Sequence, residues 1–333
     1  MSETETDESR LATLLTRETG APVSVETLTP LSGGAASMSY AVNAVRDGEP
    51  LPLVMQRSAG EGDTVRTMSR AQQATLQQRV AKSGVSAPDV VAILQSEDGL
   101  GEGFVMPFVE GETLAPRYLR KPEFAKARDR LGGQTAASLA KLHALPTDMV
   151  DGLGLETVDG PKQLANLRDL YDVLNGAVPV FEMAFIHLSE RLRKCREPVI
   201  VHGDFRSGNF IVGEDGLKSI LDWELAHLGD PLLDIGWLAT NTWRFGNWDK
   251  PMGGFSEREP FYTAYEEAGG HAIDRDQALA FEMLGSLRWG IMCLQMAAAH
   301  LSGDVPSVER AAIGRRVSET EADLLHIMRT GSV

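Results

Sequence analysis

Two cysteines in 333 residues, Cys195 and Cys293, exclude a disulfide framework, and their spacing makes no thiolate metal site. Both are expected to be buried small apolar side chains. Positive charge is scarce: 32 Lys and Arg stand against 47 Asp and Glu, a formal net charge of −15. Nucleic-acid binding runs on Lys and Arg contacts to phosphate, so this balance argues against a nucleic-acid partner and, more weakly, against an anionic membrane. A local basic pocket inside an acidic shell still allows an anionic ligand. No apolar run approaches the length that spans a bilayer. The opening Met1–Arg10 lacks the basic start and apolar core of a secretory leader. There is no internal repeat and no low-complexity tract. A reducing cytoplasm is the expected setting, a small-molecule substrate the expected partner, and the oligomeric state stays open.

What is present is a globular composition, 43% hydrophobic and 24% charged, on a chain long enough for one large or two medium domains. Residues 1–10 read as a disordered tail, and Leu11, Leu14 and Leu15 mark a short helix. Alternating apolar positions then give strands around 23–28, 40–45 and 51–56, with a Gly33-Gly34 turn after the first and an Asp47-Gly48 hairpin after the second. A helix is expected over 64–82, ending before Gly84, and two more short strands at 90–94 and 104–108. Beyond Val109-Glu110-Gly111 long helices take over, at 131–142, 169–193, 278–301 and 307–329, interrupted by a β-rich insert at 199–221. The division is thus a sheet-rich part over 11–108 and a helical part over 109–333.

The insert holds the sharpest pattern: His202-Gly203-Asp204-Phe205-Arg206-Ser207-Gly208-Asn209, between the apolar strands 199–201 and 210–212. Thirteen residues past Asn209 comes Asp222, in Leu221-Asp222-Trp223-Glu224, after a turn at Glu214-Asp215-Gly216. Phosphoryl transfer needs a carboxylate to orient or deprotonate the acceptor hydroxyl, and oxygen ligands to hold Mg²⁺ against the phosphates. A loop between two strands can present Asp204 and Asn209 together, and a hairpin can return Asp222 to share the metal with Asn209. Asp, Asn, Ser and Gly also dominate ordinary turns. Three polar residues at fixed spacing in an apolar frame favour the chemical reading. His202 fits either acid–base chemistry or support of the loop backbone. Arg206 fits charge neutralisation or a solvated loop position. Glu224 fits a further metal ligand or a local hydrogen-bond partner. The Gly33-Gly34 turn, with Ser37, fits either a phosphate cradle of backbone N–H groups or an ordinary hairpin.

Asp204 and Asn209 are five apart, as are the Asp and Asn of the kinase catalytic loop. Together with Leu221–Trp237, the block resembles the aminoglycoside phosphotransferase/choline kinase superfamily, and in particular the kinase domains attached to some acyl-CoA dehydrogenases. That resemblance implies an α+β, two-lobed protein-kinase-like fold with a small antiparallel sheet and a larger helical lobe. It implies a transferase that moves a phosphate from ATP, with Mg²⁺, to a small-molecule hydroxyl. Asp204 is then the catalytic base, Asn209 and Asp222 the Mg²⁺ ligands, and Asp234 an anchor of the catalytic loop. Residues 104–111 would form the hinge, with backbone groups of Met106 and Phe108 on the adenine edge.

The pattern departs at one place. A Lys or Arg is usual on the third strand, paired with a Glu on the following helix. Here those positions are Gln56 and Gln73, with Arg57 adjacent. Either Arg57 substitutes, or the register shifts by one, or nucleotide binding is weak. A binding module that keeps the fold without turnover is therefore a competing reading. For the acceptor, Trp243, Arg244 and Phe245 lie in a stretch, 237–248, with three Trp and no Asp or Glu. That suits an apolar compound with one anionic handle, such as a hydroxyacyl thioester or related catabolic intermediate, over an aminoglycoside or choline-like cation.

Overall fold

The computed structural model describes residues 6–31, 37–58 and 68–331. Gly33 and Gly34 lie outside the described residues, and Ser37 is described only in its backbone. The chain divides into two compact units, one of residues 1–111, 148–155 and 218–226, the other of 112–147, 156–217 and 227–333.

In the first unit, α1 (Asp7–Thr19) starts earlier than its polar sequence indicated, because Thr6 caps it by accepting from the Ser9 amide. Acidic Asp7 and Glu8 in its first turn complement the helix dipole. Leu11, Leu14 and Leu15 are fully buried. The strands β1 (Val23–Pro30), β2 (Ser37–Arg46) and β3 (Glu49–Ser58) follow as an antiparallel meander. Helix α2 (Arg70–Lys82) is fixed at its start by a reciprocal cap between Ser69 and Gln72. It begins at 70, later than the 64 expected; 64–67 lie outside the described residues. Strands β4 (Ala92–Leu94) and β5 (Gly103–Pro107) complete a five-stranded sheet of order β1-β2-β3-β5-β4.

Alternation along β3 separates its two faces. Leu53 and Met55 join Leu11, Leu14 and Leu15 of α1 in one core cluster. Gln56 sits opposite Phe104 of β5, whose ring packs on Ala74 of α2. Gln56 therefore faces α2 and is buried. Arg57 points the other way, to Asp7 (2.9 Å) and the Tyr40 hydroxyl (3.1 Å).

Two distant segments belong to this unit because α2 and the chain after it hold them. Gln72 donates to the Leu153 carbonyl (2.9 Å) and Arg79 to that of Met149 (2.5 Å). The Ile220 amide donates to the Ser86 carbonyl (2.6 Å).

The second unit is mainly helical. It begins with α3 (Ala115–Tyr118) and α4 (Ala125–His143), then β6 (Thr157–Val158), α5 (Gly160–Val173) and α6 (Pro179–Ser189). The single helix expected over 169–193 is thus two. Asn175 adopts a left-handed conformation (φ 49°), and Pro179 restarts the helix at a position where its missing N–H costs nothing. Next come β7 (Val199–Val201), β8 (Phe210–Gly213) and β9 (Gly216–Ile220), within which the chain passes between units. Strand β10 (His227–Gly229) lies between β6 and β7 in a small sheet. Helices α7 (Leu232–Ala239), α8 (Arg258–Glu267), α9 (Arg275–Leu301), α10 (Val308–Gly314) and α11 (Val317–Thr330) finish the unit. The last two replace the one helix expected over 307–329. Among the described residues, no helix is long and apolar enough to cross a membrane.

Candidate active site

Leaving β7, the chain turns at Gly203 (φ 79°) and presents Asp204. Fully buried Asp234, in the first turn of α7, accepts from the backbone amides of His202 (2.7 Å) and Gly203 (2.9 Å). Its second contact is the His143 ring (3.2 Å), which also meets the Tyr265 hydroxyl (2.8 Å). Burial alone would raise the Asp234 pKa, but these donors hold it below the ordinary aspartate value. His202 is buried too, and its Nδ1 accepts from the Asp204 amide (3.1 Å). In this conformation the imidazole supports the loop backbone.

Among the described residues, the Asp204 carboxylate receives three side-chain donors: Trp237 Nε1 at 2.7 Å, Asn209 Nδ2 at 2.6 Å, and Arg206 Nε at 3.1 and 3.2 Å. Charge-assisted bonds of this kind fix a carboxylate in orientation. Asn209 also gives Nδ2 to the Asp204 carbonyl (2.9 Å). Its amide nitrogen is thereby committed to Asp204, and Oδ1 is the atom it can offer a cation.

Around this loop stands a row of aromatic rings. Trp237, Trp243 and Trp289 follow one another edge to face at 5.1 and 5.0 Å. The Arg206 guanidinium lies 4.5 Å over Trp243, and Arg288 of α9 lies 4.2 Å over Trp237. Arg288 also donates to the Gly203 carbonyl (3.0 Å). The indole N–H groups of Trp243 and Trp289 are buried and have no acceptor among the described residues.

Arg244, expected to meet the acceptor's anionic handle, is something else. It is fully buried and donates to Glu282 (2.7 Å) and to the Ala239 carbonyl (2.8 Å), while Arg258 shares the same carboxylate. Its charge is spent inside the protein, so it does not line a pocket. Trp243 joins the aromatic row, and Phe245 packs against that cluster.

The first unit holds the other expected residues. Asp222 adopts a left-handed backbone (φ 61°, ψ 64°), a strained state for a residue with a side chain, at the start of a 3₁₀ turn over Trp223–Leu225. Trp223 is buried and donates to the Ile220 carbonyl (3.0 Å), which fixes that turn. Glu224 accepts from Arg70 of α2 (3.1 Å), and Arg70, fully buried, also donates to Gln73 (2.7 Å). Arg57 stands on the opposite face of β3 from Gln56 and does not act as a cation beside it. The Phe108 amide donates to the Pro52 carbonyl (3.0 Å). The Met106 thioether lies 3.6 Å from the Gln77 amide nitrogen.

Among the described residues, no three or more His, Cys, Asp and Glu side chains cluster as a metal site. Mg²⁺ keeps several waters and needs few protein ligands, all hard oxygens, so an amide and a carboxylate suit it. Sequence reasoning missed Arg70, Arg288 and the bond from Trp237 to Asp204. Arg288 had a signal: it is the single charge in the apolar run Met283–Met292 of α9.

The likeness to known proteins agrees with this geometry. Residues 27–278 match the model of the phosphotransferase enzyme family, APH. Residues of the chain are 26% identical over 164 residues to acyl-CoA dehydrogenase family member 10 of Mus musculus, covering 47% of this chain and 15% of that one. They are 27% identical over 172 residues to member 11 of Homo sapiens, covering 48% and 21%. The chain thus spans about a fifth or less of the curated relatives' length. Among solved structures, a Ralstonia eutropha chain assigned to the aminoglycoside phosphotransferases superposes with TM-score 0.69 at 19% identity, covering 90% of this chain and 91% of that one. A choline/ethanolamine kinase family protein of Mesorhizobium loti gives 0.62 at 18%, covering 92% and 89%. Spectinomycin phosphotransferase, solved with ADP and spectinomycin, gives 0.63 at 15%, covering 95% and 98%. At such identities the structural likeness shows the fold alone: α+β and protein-kinase-like, a five-stranded antiparallel sheet with a larger helical part. With the match extending over most of its length, this chain belongs to the phosphotransferase enzyme family.

Proposed function

We propose that the chain transfers the γ-phosphate of ATP to a hydroxyl of a small molecule, with Asp204 as the base. The observation that carries this reading is the Asp204 carboxylate, held by Trp237, Asn209 and Arg206 on a loop that Asp234 pins from beneath. As the acceptor oxygen bonds to the γ-phosphorus, the bond to the β–γ bridging oxygen breaks and ADP leaves with that electron pair. The hydroxyl proton passes to a carboxylate oxygen of Asp204. Asn209 Oδ1 and the Asp222 carboxylate are the proposed Mg²⁺ ligands, and the bound ion would neutralise charge on the phosphate oxygens. The left-handed backbone at Asp222 is the kind of strain that functional positions retain. Gln56, on the α2 face of the sheet, is the position for phosphate contact, and Gly33, Gly34 and Ser37 for the phosphate loop. Backbone groups of Met106 and Phe108 are proposed to meet the adenine, Phe108 through its carbonyl. The ADP bound to the spectinomycin enzyme supports an adenine nucleotide as co-substrate.

For the acceptor, a hydroxyacyl thioester is the favoured class, supported by the curated relatives being acyl-CoA dehydrogenase family members. The uncharged Gln56/Gln73 pair favours the competing reading, a nucleotide-binding module without turnover. Steady-state assays with Mg-ATP and a 4-hydroxyacyl-CoA, choline or a kanamycin-type aminoglycoside separate these. The thioester is expected to give the highest kcat/KM. Asp204→Asn is expected to cut transfer roughly 10²–10⁴-fold with ATP affinity nearly intact, and Asp222→Ala to abolish Mg²⁺-dependent activity. An aminoglycoside preferred by a wide margin overturns the substrate reading. Near wild-type kcat in Asp204→Asn overturns the mechanism.

A further inference from the structure

Two guanidinium groups, Arg206 and Arg288, stand at the loop of Asp204. Arg206 shares its charge with that carboxylate. Arg288 does not: among the described residues no carboxylate lies within ion-pair distance of it, and its contacts are the Gly203 carbonyl and the face of Trp237. The buried Asp234 nearby is already matched by two backbone amides and His143. A half-buried guanidinium without a direct ion pair is costly, and proteins keep such groups where a ligand supplies the anion. Burial pulls the Arg288 pKa down, against the opposing pull of Asp204 and Asp234, which agrees with a cation short of partners.

We infer that Arg288, with Arg206, forms a subsite for an anionic group carried by the acceptor. The inference rests on Asp204 being the acceptor's base. The proposed nucleotide contacts, Gln56, Met106 and Phe108, lie in the first unit, whereas Arg206 and Arg288 lie in the second with Asp204. This pair takes the part the sequence had given to Arg244. The anion has two sources: a carboxylate close to the acceptor hydroxyl, or the phosphates of a carrier such as coenzyme A.

Binding is read by calorimetry and tryptophan emission, with Mg-ADP saturating, so that no turnover is needed. The probes are 4-hydroxybutyrate, its neutral amide 4-hydroxybutyramide, and coenzyme A. Wild-type protein is expected to bind one of the two anions with a change in emission, and the amide about tenfold more weakly than the hydroxybutyrate if the carboxylate is the source. Arg288→Gln is expected to weaken the responding anion by about tenfold, and Arg288→Lys, which keeps the charge, by less. A response to coenzyme A alone assigns the anion to the carrier. No binding of either anion, or equal binding by wild type and Arg288→Gln, overturns the subsite. Should Arg288→Gln fail to fold, Arg288→Lys and the wild-type contrast between hydroxybutyrate and its amide still decide. Anion binding that depends on Arg288, without phosphate transfer to the three acceptors assayed, leaves an anion site at Arg288 but overturns the kinase reading and, with it, the assignment of that anion to an acceptor.

Discussion

Glu282 accepts from Arg244 and Arg258 in a place with almost no solvent. Without Arg244 the Glu282 carboxylate keeps Arg258 but loses a charge-assisted hydrogen bond, which costs about 1.5–3 kcal/mol. Arg244→Met is therefore expected to lower unfolding free energy in urea by that order, while acceptor KM in the folded enzyme barely moves. A selective rise in KM with unchanged stability contradicts this placement. Asp234 yields a pH effect. Its folded pKa lies below the ordinary aspartate value near 3.8. Its contribution is therefore complete above that value and is lost as pH falls through the lowered one. The melting-temperature gap between wild type and Asp234→Asn is expected to be widest near neutrality and to narrow below about pH 4. A gap independent of pH refutes it. At this scale the sequence was legible where short spacing brings side chains together, as in Asp204 and Asn209, which hydrogen-bond. It was opaque where a role depends on burial. Arg57 and Arg244 are drawn as available cations in one dimension, and only the folded chain reveals Asp7, Tyr40 and Glu282 as their partners.

The strands were legible because alternation and turn residues mark them directly: β3 and its Asp47-Gly48 turn lie where the pattern put them. Helix ends were less so. The break at Asn175 depends on a single left-handed residue followed by Pro179, and the apolar spacing runs through it unchanged. Packing between helices was not legible at all. Gly236 of α7 touches the α9 backbone so closely that an added Cβ would lie 2.4 Å from the Phe281 carbonyl carbon. Backbone cannot yield as a flexible side chain does, so α7 would have to move away from α9. Gly236→Ala is expected to cost about 1–3 kcal/mol in denaturant unfolding. Because α7 carries both Asp234 and Trp237, kcat is expected to fall with it. Wild-type stability in that variant contradicts the contact.

At the scale of the molecule, the expected boundary near residue 108 captures only part of the division. The first unit also needs residues 148–155 and 218–226, which no composition shift announces. Those segments carry the Leu153 and Met149 carbonyls and Glu224, the partners of Gln72, Arg79 and the fully buried Arg70. A fragment of residues 1–111 is therefore expected to lack a cooperative thermal transition by circular dichroism. A transition as sharp as that of the whole chain shows the two segments to be dispensable.

The same division makes the chain pass from one unit to the other at 111/112, 147/148, 155/156, 217/218 and 226/227. The stretch that matches the family, residues 27–278, encloses every one of these passages. A genetic crossover placed between the first and last of them would hand a descendant one unit with a piece missing. Inheritance of this architecture is consequently indivisible: it can be joined to unrelated domains at its ends, but its two units cannot be traded separately.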